Sequence, residues 1–281
     1  MTVRRFQSFI WQWCRANGRH GLPWRKFPRT LPAGRQAYRI LVSEIMLQQT
    51  QVSRVIPKYR EFLKAFPTLS TLDRAPLASV LTTWQGMGYN RRAVYLKRLA
   101  RMVTVEYGGR IPSDPDTLKR LPGIGPGTAG AIAAFAFNRR IAFIETNIRR
   151  VFIHHFFKRR GRINDAEILE KIRQTLPRRN IREWYYALMD YGASAFRGRP
   201  NPNRRSVHHV RQVPFTGSRR ELRGRILAAV IRGPIPENKL AHRIGGATRP
   251  FGRRELGRTI GAMIREGLIE IRAHRIALPY G

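Results

Sequence analysis

The sequence predicts a mainly α-helical protein, and three observations carry this prediction. Apolar residues recur at helical spacing through most of the first 195 residues of the 281-residue chain. Residues 121–131 place glycines and prolines between two helical patterns, which is typical of a tight turn that joins two helices. No alternating pattern of useful length, as a half-buried β-strand requires, precedes residue 267.

The helical region begins with a helix, a long loop and a strongly apolar helix. Phe6 and Ile10 share one face of a helix predicted over 3–16. Glycines and prolines interrupt residues 18–37, which we expect to form a loop, and residues 38–52 follow as an apolar, central helix. Further helices are predicted at 54–65, 74–83, 91–107, 115–121, 127–137, 145–157, 165–175 and 181–195. The prolines that punctuate them are Pro57, Pro67, Pro76, Pro112, Pro122 and Pro177.

The composition changes after the last of these helices. Proline, asparagine and arginine dominate residues 197–217, as in a basic linker. We therefore expect a helical domain over 1–196, whose N-terminal helix packs with residues 140–196, and a separate domain over 218–281.

The C-terminal residues read as a small domain of helices and a hairpin. Residues 268–278 partly alternate around a turn at Ala273 and His274, and a glycine-containing turn precedes the third helix. The predicted helices are 218–232, 237–244 and 252–266. This order indicates a winged-helix-like domain, whose third helix would contact DNA. The residues expected to make this contact are Arg253, Arg254 and Arg258. The alternative is a helical appendage that only packs on the main domain.

The charge of the chain points to a polyanionic partner. Lysine and arginine total 54 against 17 acidic residues, which gives a formal net charge of +37. The excess is spread along the whole chain, whereas an enzyme acting on a small anionic metabolite needs only a local basic pocket. Nucleic acid is the simplest partner. An arginine-rich proteome or a ribosome-associated protein would explain the same charge without a DNA site.

Cysteine content and hydropathy argue against disulfide-linked, cysteine–metal, membrane-spanning and secreted proteins. Cys14 is the single cysteine of the chain, so neither an internal disulfide nor a cysteine-ligated zinc or iron–sulfur site can form. The sequence lacks a run of about 18 apolar residues and an apolar secretory leader. We expect a cytoplasmic, nucleoid-associated protein with no membrane partner.

Glu44 is the candidate catalytic acid. It lies among Ile40, Leu41, Ile45 and Met46, where burying a carboxylate is costly unless the group is paired or protonated. Burial raises the pKa of a carboxylic acid, which suits a general acid at neutral pH. The alternative is a solvent-facing glutamate on an amphipathic helix.

The turn at residues 121–131 is a candidate phosphate site. Its glycines leave backbone N–H groups at the start of the following helix exposed to a phosphate oxygen. Contacts of this kind hold a duplex in register without reading its sequence.

Four segments together resemble a known enzyme family. They are Pro23 to Arg25, Ser43 to Val52, Gly86 to Tyr89 and Leu121 to Ala131. In order and spacing they are similar to MutY-type adenine DNA glycosylases of the helix-hairpin-helix superfamily. The resemblance covers roughly residues 6–195 and implies a two-lobed helix-hairpin-helix glycosylase fold.

The resemblance implies a role for each matching residue. Glu44 would protonate a flipped adenine and help to position water, and Asn147 would support the catalytic site. Gln49 and Tyr89 would wedge into the duplex. The base pocket and its surroundings would include Trp24, Arg25, Leu47, Gln48 and Asp190. The hairpin would grip a phosphate and hold an alkali cation at its carbonyls, and its residues are Leu121, Gly123, Ile124, Gly125, Gly127 and Thr128.

The chain departs from the family at its second carboxylate and at the nucleophile position. The family has aspartate in Asp-Gly-Asn, where this chain has Glu145-Thr146-Asn147. Glu145 keeps the charge and could stabilise the cationic sugar, or it could only cap the helix that begins at Thr146. Bifunctional relatives carry a nucleophilic lysine where this chain has Gly127, so we expect a monofunctional enzyme that uses water.

Two other family features are missing from this sequence. Relatives usually hold an iron–sulfur cluster after the segment that is Met189 to Gly192 here, but the four cysteines are absent, so we expect no cluster and no other metal site. Residues 216–281 look unlike the family's 8-oxoguanine-recognition domain.

These features lead to one main hypothesis and two alternatives. The main hypothesis is a monomeric, monofunctional glycosylase that removes mispaired adenine, opposite guanine or 8-oxoguanine, from double-stranded DNA. The alternatives are a mismatch thymine or uracil DNA glycosylase and a catalytically weak lesion-binding protein.

Overall fold

The protein is mainly helical in a computed structural model that describes residues 1–158, 160–210, 214–244 and 251–279. Its contacts divide the chain into two compact units. The first unit combines Met1–Glu44 with Ile111–Arg211, and the second combines Ile45–Arg110 with Gln212–Gly281. In the described part of the chain, no helix has the length and apolar character needed to cross a membrane.

The first unit surrounds an aromatic core. Phe6 on the first helix packs edge-on against Phe152, with ring centroids 5.4 Å apart, and against Trp184, at 5.9 Å. Gln7 Nε2 donates to the carbonyl oxygen of Thr175 at 2.9 Å. The helices of this unit are α1 (Val3–Asn17), most of α2 (Ala33–Leu47), α7 (Pro115–Leu118), α8 (Pro126–Phe137), α9 (Thr146–Phe156), α10 (Asp165–Thr175) and α11 (Ile181–Ser194). The N-terminal helix therefore packs against α9, α10 and α11.

The second unit joins a helical block to the C-terminal residues. Its helical block contains α3 (Val52–Ala65), α4 (Leu69–Arg74), α5 (Leu77–Trp84) and α6 (Arg91–Glu106). The C-terminal elements are α12 (Arg219–Ile231), β1 (Ile235–Pro236), α13 (Leu240–Arg243), α14 (Arg253–Arg265), β2 (Glu270–Arg272) and β3 (Arg275–Ala277). The strands pair antiparallel in the order β1-β3-β2. Ala273 and His274 form the β2–β3 turn with φ values of +44° and +56°.

The domain boundaries drawn from the sequence stay predictions. The structure groups the C-terminal residues with residues 45–110, and the predicted glycine-containing turn before α14 falls mostly in residues 245–250, outside the described residues.

The structure corrects the predicted bounds of the apolar helix. This helix, α2, starts at Ala33, so residues 33–37 are helical and the loop is shorter than predicted. Pro32 lies just before the first turn, where its missing N–H costs nothing, and its carbonyl oxygen accepts from Gln36 N at 3.0 Å. The helix ends at Leu47 because Gln49 adopts a left-handed backbone with φ +54°.

One further helix prediction was also wrong. The helix predicted at 74–83 is replaced by α4 and α5, which meet at the Ala75–Pro76 step because a residue before proline avoids the α conformation. Pro57 lies inside α3, as it does in the helix predicted over 54–65. The strand β1 precedes residue 267, but its two residues are too few to form an alternating pattern, so this strand does not contradict the prediction.

Candidate active site

Two carboxyl groups interact in the first unit. Burial raises the pKa of Glu44 to about 8, with a further rise from Glu145 and an opposing effect of Arg25. Glu44 follows the fully buried Ser43 on α2, and its own side chain is partly exposed. At neutral pH Glu44 therefore carries a proton that it can donate, as a general acid requires.

Glu145 both caps a helix and interacts with Glu44. Its Oε1 accepts from the backbone N–H of Ile148 at 2.7 Å, and its Oε2 accepts from Asn147 Nδ2 at 3.2 Å. Burial raises the pKa of Glu145, while these hydrogen bonds and the nearby Arg150 act in the opposite direction. The capping alternative from the sequence is thus realised, and it does not exclude a catalytic role because the cap fixes the carboxylate beside Asn147.

Arg25 and Asp190 form a buried ion pair. Arg25 Nη1 and Nη2 donate to the two carboxylate oxygens of Asp190 at 2.7 and 2.9 Å, and the two side chains are 7% and 1% exposed. Arg19 adds hydrogen bonds from its backbone N at 2.8 Å and its Nε at 2.7 Å. Burial alone would raise the pKa of Asp190, but the arginines hold it below its ordinary value. Asp190 therefore stays ionised and fixes the guanidinium of Arg25.

Tyr186 belongs to this site, although the sequence analysis missed it. The Arg25 guanidinium lies 4.1 Å from the centroid of the Tyr186 ring, and Phe135 stacks on this ring at 4.6 Å. Burial and the charge of Glu44 both raise the pKa of the Tyr186 phenol. Tyr186 precedes Asp190 by four residues on α11, so the two share one helix face. That spacing was the available signal. Trp24, also predicted here, is 3% exposed.

In the second unit, Arg92 ties together the two segments predicted to enter DNA. Its Nη1 donates to the carbonyl oxygens of Ile45, Met46 and Gln48 at 2.9, 2.8 and 2.7 Å. Its Nη2 donates to the carbonyl oxygen of Gly88 at 3.0 Å. Arg92 is 7% exposed, and burial lowers its pKa to about 10, so it remains charged at neutral pH. The guanidinium thus caps the end of α2 and anchors the loop before α6. Sequence reasoning missed Arg92 because its carbonyl partners leave no side-chain pattern.

The predicted wedge residues have strained backbones. Gln49 and Tyr89 have φ values of +54° and +46°, in a region that residues with a Cβ rarely adopt. Gln49 is exposed, while Leu47, Gln48 and Tyr89 are partly exposed. Strain at non-glycine residues clusters at functional sites, where surrounding contacts must hold it.

The hairpin has the predicted form. Leu121 and Ile124 are buried, and Ile124 N donates to the carbonyl oxygen of Leu121 at 3.2 Å. Gly123 makes the turn with φ +80°, and Gly125 is the residue before α8. Thr128 lies in the first turn of this helix. At Gly127 an added Cβ would lie 2.9 Å from the carbonyl oxygen of Ile144, so any side chain here would force a backbone shift.

A network of backbone caps occupies the region after α11. Asn203, in a 3-10 turn over Pro202–Arg205, donates from Nδ2 to the carbonyl oxygen of Thr146 at 3.0 Å. Arg205 donates to the carbonyl oxygens of Phe157 and Ile153 at 2.6 and 3.1 Å, which caps the end of α9. Among the described residues, no three His, Cys, Asp or Glu side chains form a metal-binding group.

The predicted C-terminal contact residues lie on one helix. Arg253, Arg254 and Arg258 are exposed on α14. Glu255, between them, pairs with Arg219 of α12, with Nε and Oε1 2.6 Å apart. The helix therefore presents arginines to solvent while an ion pair ties it to its neighbour.

Comparisons with known proteins agree on one family. The family described as HhH-GPD superfamily base excision DNA repair protein matches residues 42–178. The adenine DNA glycosylase of Buchnera aphidicola subsp. Baizongia pistaciae is 36% identical over 194 residues, which are 69% of this chain and 53% of that protein. The chain thus spans about half the length of this relative. The adenine DNA glycosylase of Mycolicibacterium smegmatis is 32% identical over 270 residues, covering 90% of this chain and 89% of that protein.

Solved structures give the same fold. A thermostable thymine-DNA glycosylase matches with a TM-score of 0.58 and 26% identity, over 68% of this chain and 86% of that chain. A non-covalent complex of endonuclease III with DNA matches with a TM-score of 0.54 and 18% identity, over 69% of this chain and 87% of that chain. The mainly helical fold with a helix-hairpin-helix is therefore shared with DNA glycosylases.

Proposed function

Because this chain belongs to the HhH-GPD superfamily of base excision DNA repair proteins, and within it to the MutY-type glycosylases, we propose that it excises mispaired adenine from double-stranded DNA. The adenine would lie opposite guanine or 8-oxoguanine, on the DNA of the nucleoid. The observation that carries this proposal is the pairing of Glu44 on its apolar helix with Glu145, whose carboxylate caps α9 and accepts from Asn147 and which acts on the pKa of Glu44.

The chemistry follows from these two groups. A base inside the stack cannot reach an enzyme's acid, so the adenine must first be flipped out. Gln49 and Tyr89 would fill the space that it leaves. Glu44 then donates its proton to the adenine, and the N-glycosidic bond breaks with its electron pair on the base. In its ionised form Glu145 would stabilise the cationic sugar, and the Glu44 carboxylate would take a proton from the water that attacks the sugar carbon.

The enzyme would be monofunctional. Gly127 offers no amine, so no Schiff base with the sugar can form at this position, and any side chain there would force a shift of the backbone against the Ile144 carbonyl. Product DNA would keep an intact backbone until it is treated with alkali.

The fold would be stable without an iron–sulfur cluster. One cysteine cannot supply the four thiolates of a cluster, and Cys14 is buried in α1. Asn203 and Arg205 instead pair with backbone groups of α9. An alkali cation at the hairpin carbonyls remains part of the proposal.

We propose that the C-terminal elements contribute to DNA binding by a monomer. Three exposed arginines on α14 follow the plan of a recognition helix in a winged helix-turn-helix. Each phosphate contact that they make would add to the salt dependence of binding.

A single-turnover assay on end-labelled duplexes tests the proposed function. Four substrates carry adenine opposite 8-oxoguanine, adenine opposite guanine, thymine opposite guanine, and uracil opposite guanine. We expect adenine release, revealed by strand breaks after alkali, with no adduct trapped by borohydride. Fully paired duplexes are the control. Release of thymine or uracil alone would replace the proposal by the alternative glycosylase, and tight binding without any release would leave a lesion-binding protein.

The raised pKa of Glu44 predicts the pH dependence of the reaction. The protonated form is active, so kcat/KM, which reports the free enzyme, should fall about tenfold for each pH unit above about 8. On the acid side the rate should fall as Glu145 takes up a proton, above the ordinary range for glutamate because burial raises its pKa. Replacing the exposed Glu183 by glutamine should leave this profile unchanged. A rate that still rises between pH 8 and pH 9.5 would show that Glu44 is not the acid.

A further inference from the structure

Two arginines from different parts of the second unit contact Tyr89. The guanidinium carbon of Arg92, on α6, lies 5.4 Å from the centroid of the tyrosine ring. That of Arg220, on α12 in the C-terminal elements, lies 5.9 Å from the same centroid. Arg220 Nη1 also donates to Tyr89 Oη at 2.9 Å. We propose that Arg220 is a positioning residue that holds the Tyr89 side chain ready for insertion into DNA. This inference rests on the wedge role given to Tyr89 in the proposed function.

The two arginines control different parts of Tyr89. Arg92 fixes the backbone of its loop, because it donates to the carbonyl oxygen of Gly88 at 3.0 Å. The φ of +46° places the Cα–Cβ bond of Tyr89 in a direction that the local chain does not favour. These anchors act on the backbone of the loop. The hydrogen bond from Arg220 acts at Oη, at the far end of the tyrosine ring, and therefore restrains rotation of the ring about its side-chain bonds.

Arg220 is itself well fixed. It lies in the first turn of α12, where Ser218 caps the helix by accepting from Glu221 N at 3.4 Å. Arg220 Nη2 donates to the carbonyl oxygen of Pro214 at 3.3 Å, and the ring of Phe215 lies 6.0 Å from its guanidinium carbon. The guanidinium therefore does not depend on Tyr89 for its orientation.

A second contact joins the same elements beside Tyr89. Glu266, at the end of α14, accepts from Arg223 of α12 at 3.3 Å. It also pairs with Arg91, the first residue of α6, with Oε1 and Nη1 3.8 Å apart. The C-terminal elements thus contact both Arg91, at the start of α6, and Tyr89, two positions before it. Through these contacts the C-terminal elements would influence how readily Tyr89 inserts, in addition to any contact that α14 makes with DNA.

The test compares Arg220→Gln with Arg219→Gln in the 281-residue chain. Both changes remove one positive charge from the first turn of α12, but Arg219 pairs with Glu255 and not with Tyr89. Insertion is followed by stopped-flow fluorescence of 2-aminopurine placed next to the mispaired adenine. We expect Arg220→Gln to slow the fluorescence rise about tenfold, as loss of one charge-assisted hydrogen bond implies. Arg219→Gln should change it less than about twofold.

Two further measurements separate positioning from a merely structural role. Combining Arg220→Gln with Tyr89→Phe should slow insertion no more than either change alone, because both remove the same hydrogen bond. Excision from a substrate whose adenine lies opposite an abasic analogue, where unstacking is easy, should be nearly unaffected by Arg220→Gln. Equal slowing by the Arg219 and Arg220 variants, or additive effects in the double variant, would overturn the inference.

Failure of the inference can be told from failure of the proposed function. If the unaltered protein releases no base while its fluorescence rise still depends on Arg220, the positioning role stands and the glycosylase proposal fails. If it excises adenine and Arg220→Gln inserts at the unaltered rate, only the positioning role fails.

Discussion

Replacing Glu44 by glutamine should lower the single-turnover rate of adenine release by about three orders of magnitude, within the range that general acid catalysis contributes. Glutamine keeps the size and polarity of the side chain but has no proton of suitable acidity to give to the base. Binding to the mismatched duplex, measured by fluorescence anisotropy, should stay within about threefold because no phosphate contact is lost.

The stability of the Glu44→Gln variant provides an independent readout. Because the pKa of Glu44 is raised in the folded protein, its contribution to folding is fully present at acid pH and is lost as the pH rises through about 8. The variant has no such group, so its melting temperature should fall less than that of the unaltered protein between pH 7 and pH 9. Replacing the exposed Glu183 by glutamine is the matched control for both measurements. If the Glu44→Gln protein retained a third of the activity, Glu44 would not be the general acid of the site.

Replacing Arg92 by leucine should cost about 3 kcal/mol or more in the free energy of unfolding, because several buried carbonyl groups lose their donor at once. The carbonyl oxygens of Ile45, Met46 and Gln48 would be left without this partner, and so would that of Gly88. Urea unfolding followed by circular dichroism at 222 nm measures the loss. Arg92→Lys should recover only part of it, since one ammonium group cannot reach all of these oxygens.

Arg101→Leu is the matched control for Arg92. Arg101 lies on the same helix, but its side chain is 71% exposed and its pair with Asp73 is long, at 3.7 Å. The Asp73 carboxylate is buried, but Lys97 also lies 3.8 Å from it and the arginine side chain is solvated, so the loss of Arg101 should cost less than about 1 kcal/mol. If the Arg92 and Arg101 variants lost equal amounts of unfolding free energy, the hydrogen bonds from Arg92 to the end of α2 would not be a major source of stability. Where Arg92→Leu remains folded, the two segments proposed to enter DNA should also insert more slowly, since both have lost their common anchor.

The motifs that identify the family were readable because they are local. The hairpin needs Gly123 at a positive φ and Gly125 before a helix, and both requirements are met within a few residues of the chain. The apolar surroundings of Glu44 likewise lie on its own helix. Most helices were predicted correctly for the same reason, because their apolar spacing is also local. The start of α2 at Ala33 was missed because Pro32, which precedes its first turn, was assigned to a loop.

What the sequence by itself determined was the set of groups available for the chemistry: an acid on an apolar helix, a second acid near Asn147, a glycine-rich hairpin and a large positive charge. Tertiary structure decided which partners set their properties. Asp190 meets Arg25 from 165 positions away, and Arg220 meets Tyr89 from 131 positions away. Periodicity reports which face of an element is buried, but a buried ion pair or a guanidinium on backbone carbonyls has no period. Such contacts exist only once packing has brought distant segments together and removed the water that would otherwise solvate them.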